Sequence, residues 1–235
     1  MRKIILSSQI ADAFSKATGE SVLPLKPYEK LDLPVNSHSD MLLFVIDKTV
    51  FCYKEYYEQN KETFFEIESF GYDIIKIEKE CQKKYPSDIS LNVLKVGKYL
   101  LGNKYNIAPE IITYAENNCY EIIDVKQGYS ACSTLVLDDN NVITSDKSIE
   151  KAIKSLNKSV LIISNEEIHL EGYNCGFIGG ATAVVDDTVY FFGEPNTLND
   201  YNKIKEKISS LNMKIKSILT GRVFDFGGAK VLNRY

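Results

Sequence analysis

One pattern recurs along this chain and restricts what it can fold into. An apolar run is followed by a tight turn, a second apolar run, an amphipathic stretch and a third short apolar run. Val45-Ile46-Asp47-Lys48-Thr49-Val50-Phe51, Val136-Leu137-Asp138-Asp139-Asn140-Asn141-Val142-Ile143 and Val184-Val185-Asp186-Asp187-Thr188-Val189-Tyr190 are three copies of its hairpin, and Val93-Leu94-Lys95-Val96-Gly97-Lys98-Tyr99-Leu100-Leu101 is a weaker fourth. Asp and Asn suit such turns because they tolerate left-handed backbone. The stretches after the hairpins predict helices over 56–70, 107–118, 147–157 and 197–212. Ile149, Ala152, Ile153 and Leu156 fall at helical spacing, Pro109 sits where a first turn accepts proline, and Thr197 reads as a cap. Strands are then expected at 72–77, 120–125, 159–163 and 213–218.

The unit is strand, strand, helix, strand, and four copies cover about 35–78, 87–126, 129–164 and 173–219. The remainders complement each other. The C-terminal 221–235 reads as a hairpin lacking its helix, and 1–27 supplies a helix near 8–18 and a strand near 21–25 lacking their hairpin. Joined, they make a fifth unit split between the chain ends, so that the whole sequence is expected to form one closed domain. Closure would leave no sheet edge open. The expected class is α/β, a five-bladed α/β propeller.

Composition removes other classes. Lysine plus arginine number 28 against 32 aspartate plus glutamate, a net charge of −4, the wrong sign for a protein that neutralises nucleic-acid phosphates. The longest purely apolar stretch, Met41 to Ile46, is far short of the roughly 20 residues that cross a bilayer, and the apolar part of the opening Met1-Arg2-Lys3-Ile4-Ile5-Leu6 ends too soon for a signal peptide. Five scattered cysteines without a C-x-x-C suit a reducing compartment, so a cytoplasmic protein is expected. With only two histidines, no metal site and no cofactor are expected. The expected partner is a small polar ligand, cationic in view of the acidity, with neither nucleic acid nor membrane; the oligomeric state is not legible.

Five such units in circularly shifted order resemble the pentein fold of the guanidino-group modifying enzymes, which include arginine deiminase, dimethylarginine dimethylaminohydrolase, agmatine deiminase and amidinotransferase. His38-Ser39-Asp40 is similar to the family's H-x-D strand, which implies His38 as acid/base and Asp40 as a grip on the guanidinium. Two residues apart on a strand point to one side, so both are expected to face one cavity. Asn92-Val93-Leu94 resembles the family's N-V-L strand and places Asn92 among the substrate-binding residues. Gly128-Tyr129-Ser130-Ala131-Cys132 falls where the family carries its nucleophile, which implies that role for Cys132.

Two other motifs depart from the pattern. At the E-G-G-D position stands Phe226-Gly227-Gly228-Ala229, with both acids lost, and at the T-R-D position stands Leu170-Glu171-Gly172. Glu171 and Asp225 are the neighbouring acids, but neighbours on a strand face opposite ways, which counts against either filling in. Phe226 would then face a less polar group, or a cation through its ring.

The resemblance implies a thiolate that attacks a C–N centre of a small guanidine, amidine or amide other than free arginine, through a covalent thio-intermediate. It further implies that Cys132 is the most reactive of the five thiols, with a pKa below the free value of about 8.5. The other reading is a catalytically silent relative that binds a small molecule or a protein, as the ribosome anti-association factor with this fold does.

Overall fold

The four expected internal hairpins form, and each is extended by a third strand that runs parallel to the second. The computed structural model describes residues 2–234; Met1 and Tyr235, the two extremes of the expected fifth unit, lie outside the described residues. The chain opens with β1 (Arg2–Ser7), α1 (Ala11–Thr18) and β2 (Val22–Leu25). The first full unit is a one-turn helix α2 (Ser39–Leu42), then β3 (Leu43–Ile46), β4 (Thr49–Tyr53), α3 (Lys54–Gln59), α4 (Lys61–Ser69) and β5 (Asp73–Ile77). The second is β6 (Leu94–Val96), β7 (Tyr99–Gly102), α5 (Pro109–Asn117) and β8 (Glu121–Asp124). The third is β9 (Thr134–Asp138), β10 (Asn141–Thr144), α6 (Lys147–Ser155) and β11 (Ser159–Ile162). The fourth is β12 (Thr182–Val185), β13 (Thr188–Phe191), α7 (Tyr201–Ser210) and β14 (Lys214–Ser217), and β15 (Ala229–Asn233) ends the chain.

The turns have the chemistry that the sequence asks for: Asp47 and Asp186 adopt φ of 50° and 53°, the left-handed region that Asp tolerates. In every unit the middle strand pairs antiparallel with the first and parallel with the third, as in β3-β4-β5 and β12-β13-β14. A parallel third strand requires a crossover, and the helix supplies it. The helix then buries its apolar stripe against its own sheet; Ile149 and Ile153 of α6 and Ile204 and Ile208 of α7 are fully enclosed.

The five sheets close a ring. Their first strands touch in the order β6, β9, β12, β15, and α2 leans on both β15 and β1 to reach the first unit. All five first strands, β3, β6, β9, β12 and β15, line one axial cavity of about 220 Å³. The fifth sheet, ordered β15-β1-β2, is built from both chain ends. Here the structure differs from the expected C-terminal hairpin. Residues 223–228 are irregular, β15 is a single strand, and its antiparallel partner is β1, with Leu6 opposite Ala229 and Lys3 opposite Leu232. The short apolar run near the N-terminus is that missing strand.

Three smaller expectations are corrected. The helix expected at 56–70 breaks at Asn60, whose backbone leaves helical geometry (φ −131°, ψ 36°) and whose side-chain amide donates to the Tyr56 carbonyl at 3.0 Å. Thr197 caps no helix: it closes a 3-10 turn, Pro195–Thr197, with its hydroxyl donating to the Glu194 carbonyl at 2.7 Å, and α7 starts after Asp200. His38 and Asp40 are on no strand, because α2 intervenes before β3.

Leu232 is fully buried in the closing strand. Leu232→Ala is expected to lower stability by about 2–5 kcal/mol in urea unfolding. A loss no larger than that of Leu33→Ala, at an exposed position, would show that β15 does not hold the ring.

Candidate active site

Every segment that leads into a first strand reaches the middle of the ring, and all five line one cavity there. Before β3, the α2 turn carries His38 and Asp40, 1% and 3% exposed. The turn is pinned from the far end of the chain: the Asp40 N–H and the Ser39 hydroxyl both donate to the Gly227 carbonyl, at 3.2 and 2.8 Å. Gly227 must be glycine for this contact, since its φ is +79° and a Cβ there would lie 2.2 Å from the His38 Cβ.

Before β6, buried Asn92 faces the segment before β9. Its Oδ1 accepts from the Ala131 and Cys132 N–H groups at 2.8 and 3.4 Å. Its Nδ2 lies 2.9 Å from the Cys132 Sγ and 3.0 Å from the Asp40 carbonyl oxygen. All of its polar atoms are therefore engaged with the protein. Asn92 does not stand where a ligand would meet it; it positions Cys132 and donates toward the sulfur.

Asp225 comes from the irregular stretch before β15. One carboxylate oxygen accepts from the Phe177 N–H at 2.9 Å and the other from the Gly227 N–H at 3.0 Å. The second oxygen also lies 3.7 Å from the His38 Nδ1. Gly180 leaves room for this carboxylate, since a Cβ there would be 2.0 Å from Oδ1. His169 helps to hold the stretch: its N–H donates to the Val223 carbonyl and its carbonyl accepts from the Asp225 N–H, both at 2.8 Å.

Charge burial governs the titration of these groups. Desolvation lowers His38 to about 4 against the pull of Asp40 and a backbone hydrogen bond to Pro34, so the ring is neutral at pH 7. Its Nε2 is buried and unpartnered among the described residues. Desolvation and the Asp40 charge raise Asp225 to about 7. Desolvation, then Asp40 and Asp225, hold the Cys132 thiol well above its ordinary value, with Asn92 acting the other way. The low thiol pKa that the sequence suggests is thus corrected in the unliganded protein: Cys132 is 5% exposed and surrounded by acids rather than by a fixed cation.

Lys230, which the sequence did not single out, lies half-buried on β15 close enough to Asp40 and Cys132 to feel both charges, and burial lowers its pKa. Asp40 itself has no hydrogen-bond partner for either carboxylate oxygen among the described residues.

His38, Cys132, Met41 and Asp225 share a cavity of about 270 Å³ with Asp88, Tyr129, Tyr173 and Phe177. Asp40 lines the axial cavity behind it, together with Lys95 and Lys230. The helical turn therefore places His38 and Asp40 on two cavities, where a strand would have put them on one. Glu171 is exposed and lines neither cavity. Phe226 is not there either: its ring packs on Phe192 and Phe224, at 6.0 and 5.9 Å between centroids. Asp225 occupies the position at the histidine that strand alternation had counted against, because 225–228 is not a strand. Among the described residues, no group of three or more His, Cys, Asp or Glu side chains is placed to hold a metal ion, and no helix is long and apolar enough to cross a membrane.

A family profile described as a family of unknown function, DUF6873, matches residues 6–229. No curated protein matches the chain in sequence. Among solved structures, DDAH from Pseudomonas aeruginosa in complex with citrulline is similar at 15% identity and a TM-score of 0.57, over 92% of this chain and 91% of that one. The amidinotransferase SxtG of Microseira wollei is similar at 12% identity and 0.57, over 94% and 77%. The agmatine deiminase of C. jejuni is similar at 11% identity and 0.55, over 92% and 87%. These likenesses establish the pentein fold.

The two shifted groups act on stability with opposite signs. His38 falls from 6.5 to about 4 on folding, so the unfolded chain binds the extra proton in between and stability rises with pH over that window. Asp225 rises from 3.8 to about 7, so the folded chain holds the extra proton and stability falls as pH rises through that window. Relative to the unaltered chain, Asp225→Asn is expected to make urea midpoints climb more steeply between about pH 4.5 and 6.5, and His38→Gln to tilt them downward. Slopes that change in the same direction in both variants would contradict the assignment.

Proposed function

The chain belongs to the family of unknown function DUF6873, and we propose that it is a cysteine-dependent hydrolase of a C–N bond in a small cationic guanidine or amidine. The observation that carries the reading is Asp225: a buried carboxylate set beside the His38 ring, in the cavity that Cys132 lines. The acid that the motif comparison found missing is supplied one residue earlier in the chain. The citrulline held by the DDAH of the same fold supports a ligand of guanidine size and shape.

The charge balance explains why the unliganded thiol is protonated. Asp40 and Asp225 lie near Cys132, and Lys230 is a cation that the structure sets against them. A cationic ligand brings a further positive charge, stabilises the carboxylates, and lowers the pKa of the sulfur. The sulfur then ionises when substrate arrives, with its proton passing to the free Nε2 of His38. The thiolate attacks the central carbon and an S–C bond forms. The C–N bond to the leaving amine breaks as His38 returns the proton to that nitrogen. A thiouronium or thioimidate remains on Cys132. Water then adds to the same carbon while His38 Nε2 takes its proton, the C–S bond breaks, and the product leaves with a carbonyl in place of the lost amine. Asn92 donates toward the sulfur in both thiolate states, and Asp225 steadies the imidazolium between transfers.

Among the described residues the cavity lining contains Asp88 and Asp225 but no Lys or Arg, so a substrate carboxylate would meet like charge and no fixed cation. This supports a substrate other than a free amino acid.

The test is intact-protein mass spectrometry after acid quench, together with ammonia release, on a panel of alkylguanidines and amidines. Turnover with an adduct mapped to Cys132 is expected, with Cys132→Ser losing both, a fall of at least about 10³-fold. Ligand binding without adduct or ammonia would establish instead a binding protein on an enzyme fold.

A further inference from the structure

The proposed chemistry leaves one side chain of the cavity wall idle, the thioether of Met41. His38 caps α2 and Met41 stands three residues on, so a single helical turn sets an imidazole and a thioether on one side. Both line the cavity, together with Cys132 from the segment before β9. The Met41 Sδ lies 4.0 Å from the Cys132 Sγ. The Asn92 Nδ2 spans the pair, 2.9 Å from the thiol and 3.3 Å from the thioether, and so fixes both sulfurs. His38 and Met41 are each 1% exposed. The His38 Nε2 has no partner among the described residues, while its Nδ1 is turned to Asp225 at 3.7 Å. A free ring nitrogen backed by a carboxylate on the other is the usual state of a histidine that ligates a metal.

Two sulfurs bound to one ion at about 2.3 Å in trigonal geometry stand about 4.0 Å apart, the separation found here. Zinc takes thiolate, imidazole and carboxylate; a thioether in the set points to copper(I), which imidazole also suits. Among the described residues His, Cys, Asp and Glu alone make no group of three for a metal, and the Met41 sulfur is what completes the set. A monovalent ion on one thiolate is neutral, which suits a wall that includes Val35, Leu170 and Phe177. Asp40 and Asp225, whose charges oppose ionisation of the thiol, favour a cation that takes the place of its proton. We propose that His38, Met41 and Cys132 form a three-coordinate copper(I) site. Binding breaks the S–H bond, releases the proton to solvent and forms an S–Cu bond, with no change of oxidation state. Copper and substrate then compete for one sulfur.

The reduced full chain, titrated without oxygen against the coloured bicinchoninate complex of copper(I), is expected to withdraw one equivalent and thereby to shield Cys132 from iodoacetamide. Cys132→Ser is expected to lose that equivalent. Met41→Leu, which keeps the volume and removes the thioether, is expected to weaken binding at least about tenfold. X-ray absorption at the copper edge is expected to show two sulfurs and one nitrogen in the unaltered chain, and one sulfur fewer in Met41→Leu. No withdrawal, unchanged withdrawal in either variant, or a single sulfur in the unaltered chain would overturn the site. The titration and the absorption spectrum of the unaltered chain decide the matter even if a variant fails to fold. Each of these outcomes leaves the guanidine reading to its own test, which is turnover.

Discussion

A carboxylate without a donor sits at the centre of this molecule, and the groups around it respond to it. Asp40 is 3% exposed and neither of its oxygens has a hydrogen-bond partner among the described residues. Its charge pulls on His38, opposes ionisation of Cys132 and Asp225, and favours the ammonium of Lys230. Burying an ion in this way is costly unless a counter-charge is supplied. Lys230 supplies part of it from the axial side. Lys95 lines the same axial cavity.

The ring geometry is what lets five distant segments share so small a space. Each unit sends the segment before its first strand toward the axis, so residues roughly a unit apart in sequence become neighbours: His38, Asn92, Cys132 and Asp225. Asn92 shows how the contacts are tuned. A single amide side chain ties the Cys132 loop to the backbone of Asp40, fixing the sulfur relative to the acid through one rigid group. Loops that carry function on a rigid scaffold are common; here the rigidity is local, made by side-chain amides and glycines that let backbones approach.

Most of the architecture was legible because hairpin turns and helical spacing are local signals. Asp47 and Asp186 announce their turns, and Ile149, Ile153, Ile204 and Ile208 announce their helices. The site was legible only where a motif could be matched in order, as with His38 and Cys132. What failed was inference from strand alternation. His38 and Asp40 lie on a helical turn, and 225–228 lies on irregular backbone with two left-handed glycines, so a period of two said nothing about where those side chains point. Glu171 and Phe226 were weighed on that rule, and Asp225 was counted out by it. Asp88 and Lys230 were invisible for a different reason: a buried unpaired oxygen and a lysine drawn into the centre are properties of packing, and no local pattern marks them.

Closure of the ring and assembly of the centre are one event. The Gly227 carbonyl, near the end of the chain, accepts from Ser39 and Asp40 near its beginning, and Asp225 reaches His38 only because β15 pairs with β1. With β15 unpaired, His38 would lose its carboxylate neighbour, and Gly227 would no longer cover the α2 turn. The grouping of Asp225 with His38 thus depends on the most non-local pairing in the molecule, between residues at opposite ends of the sequence. Loop-closure entropy opposes such pairings. On the proposed reading, chemistry at Cys132 needs the fifth sheet complete.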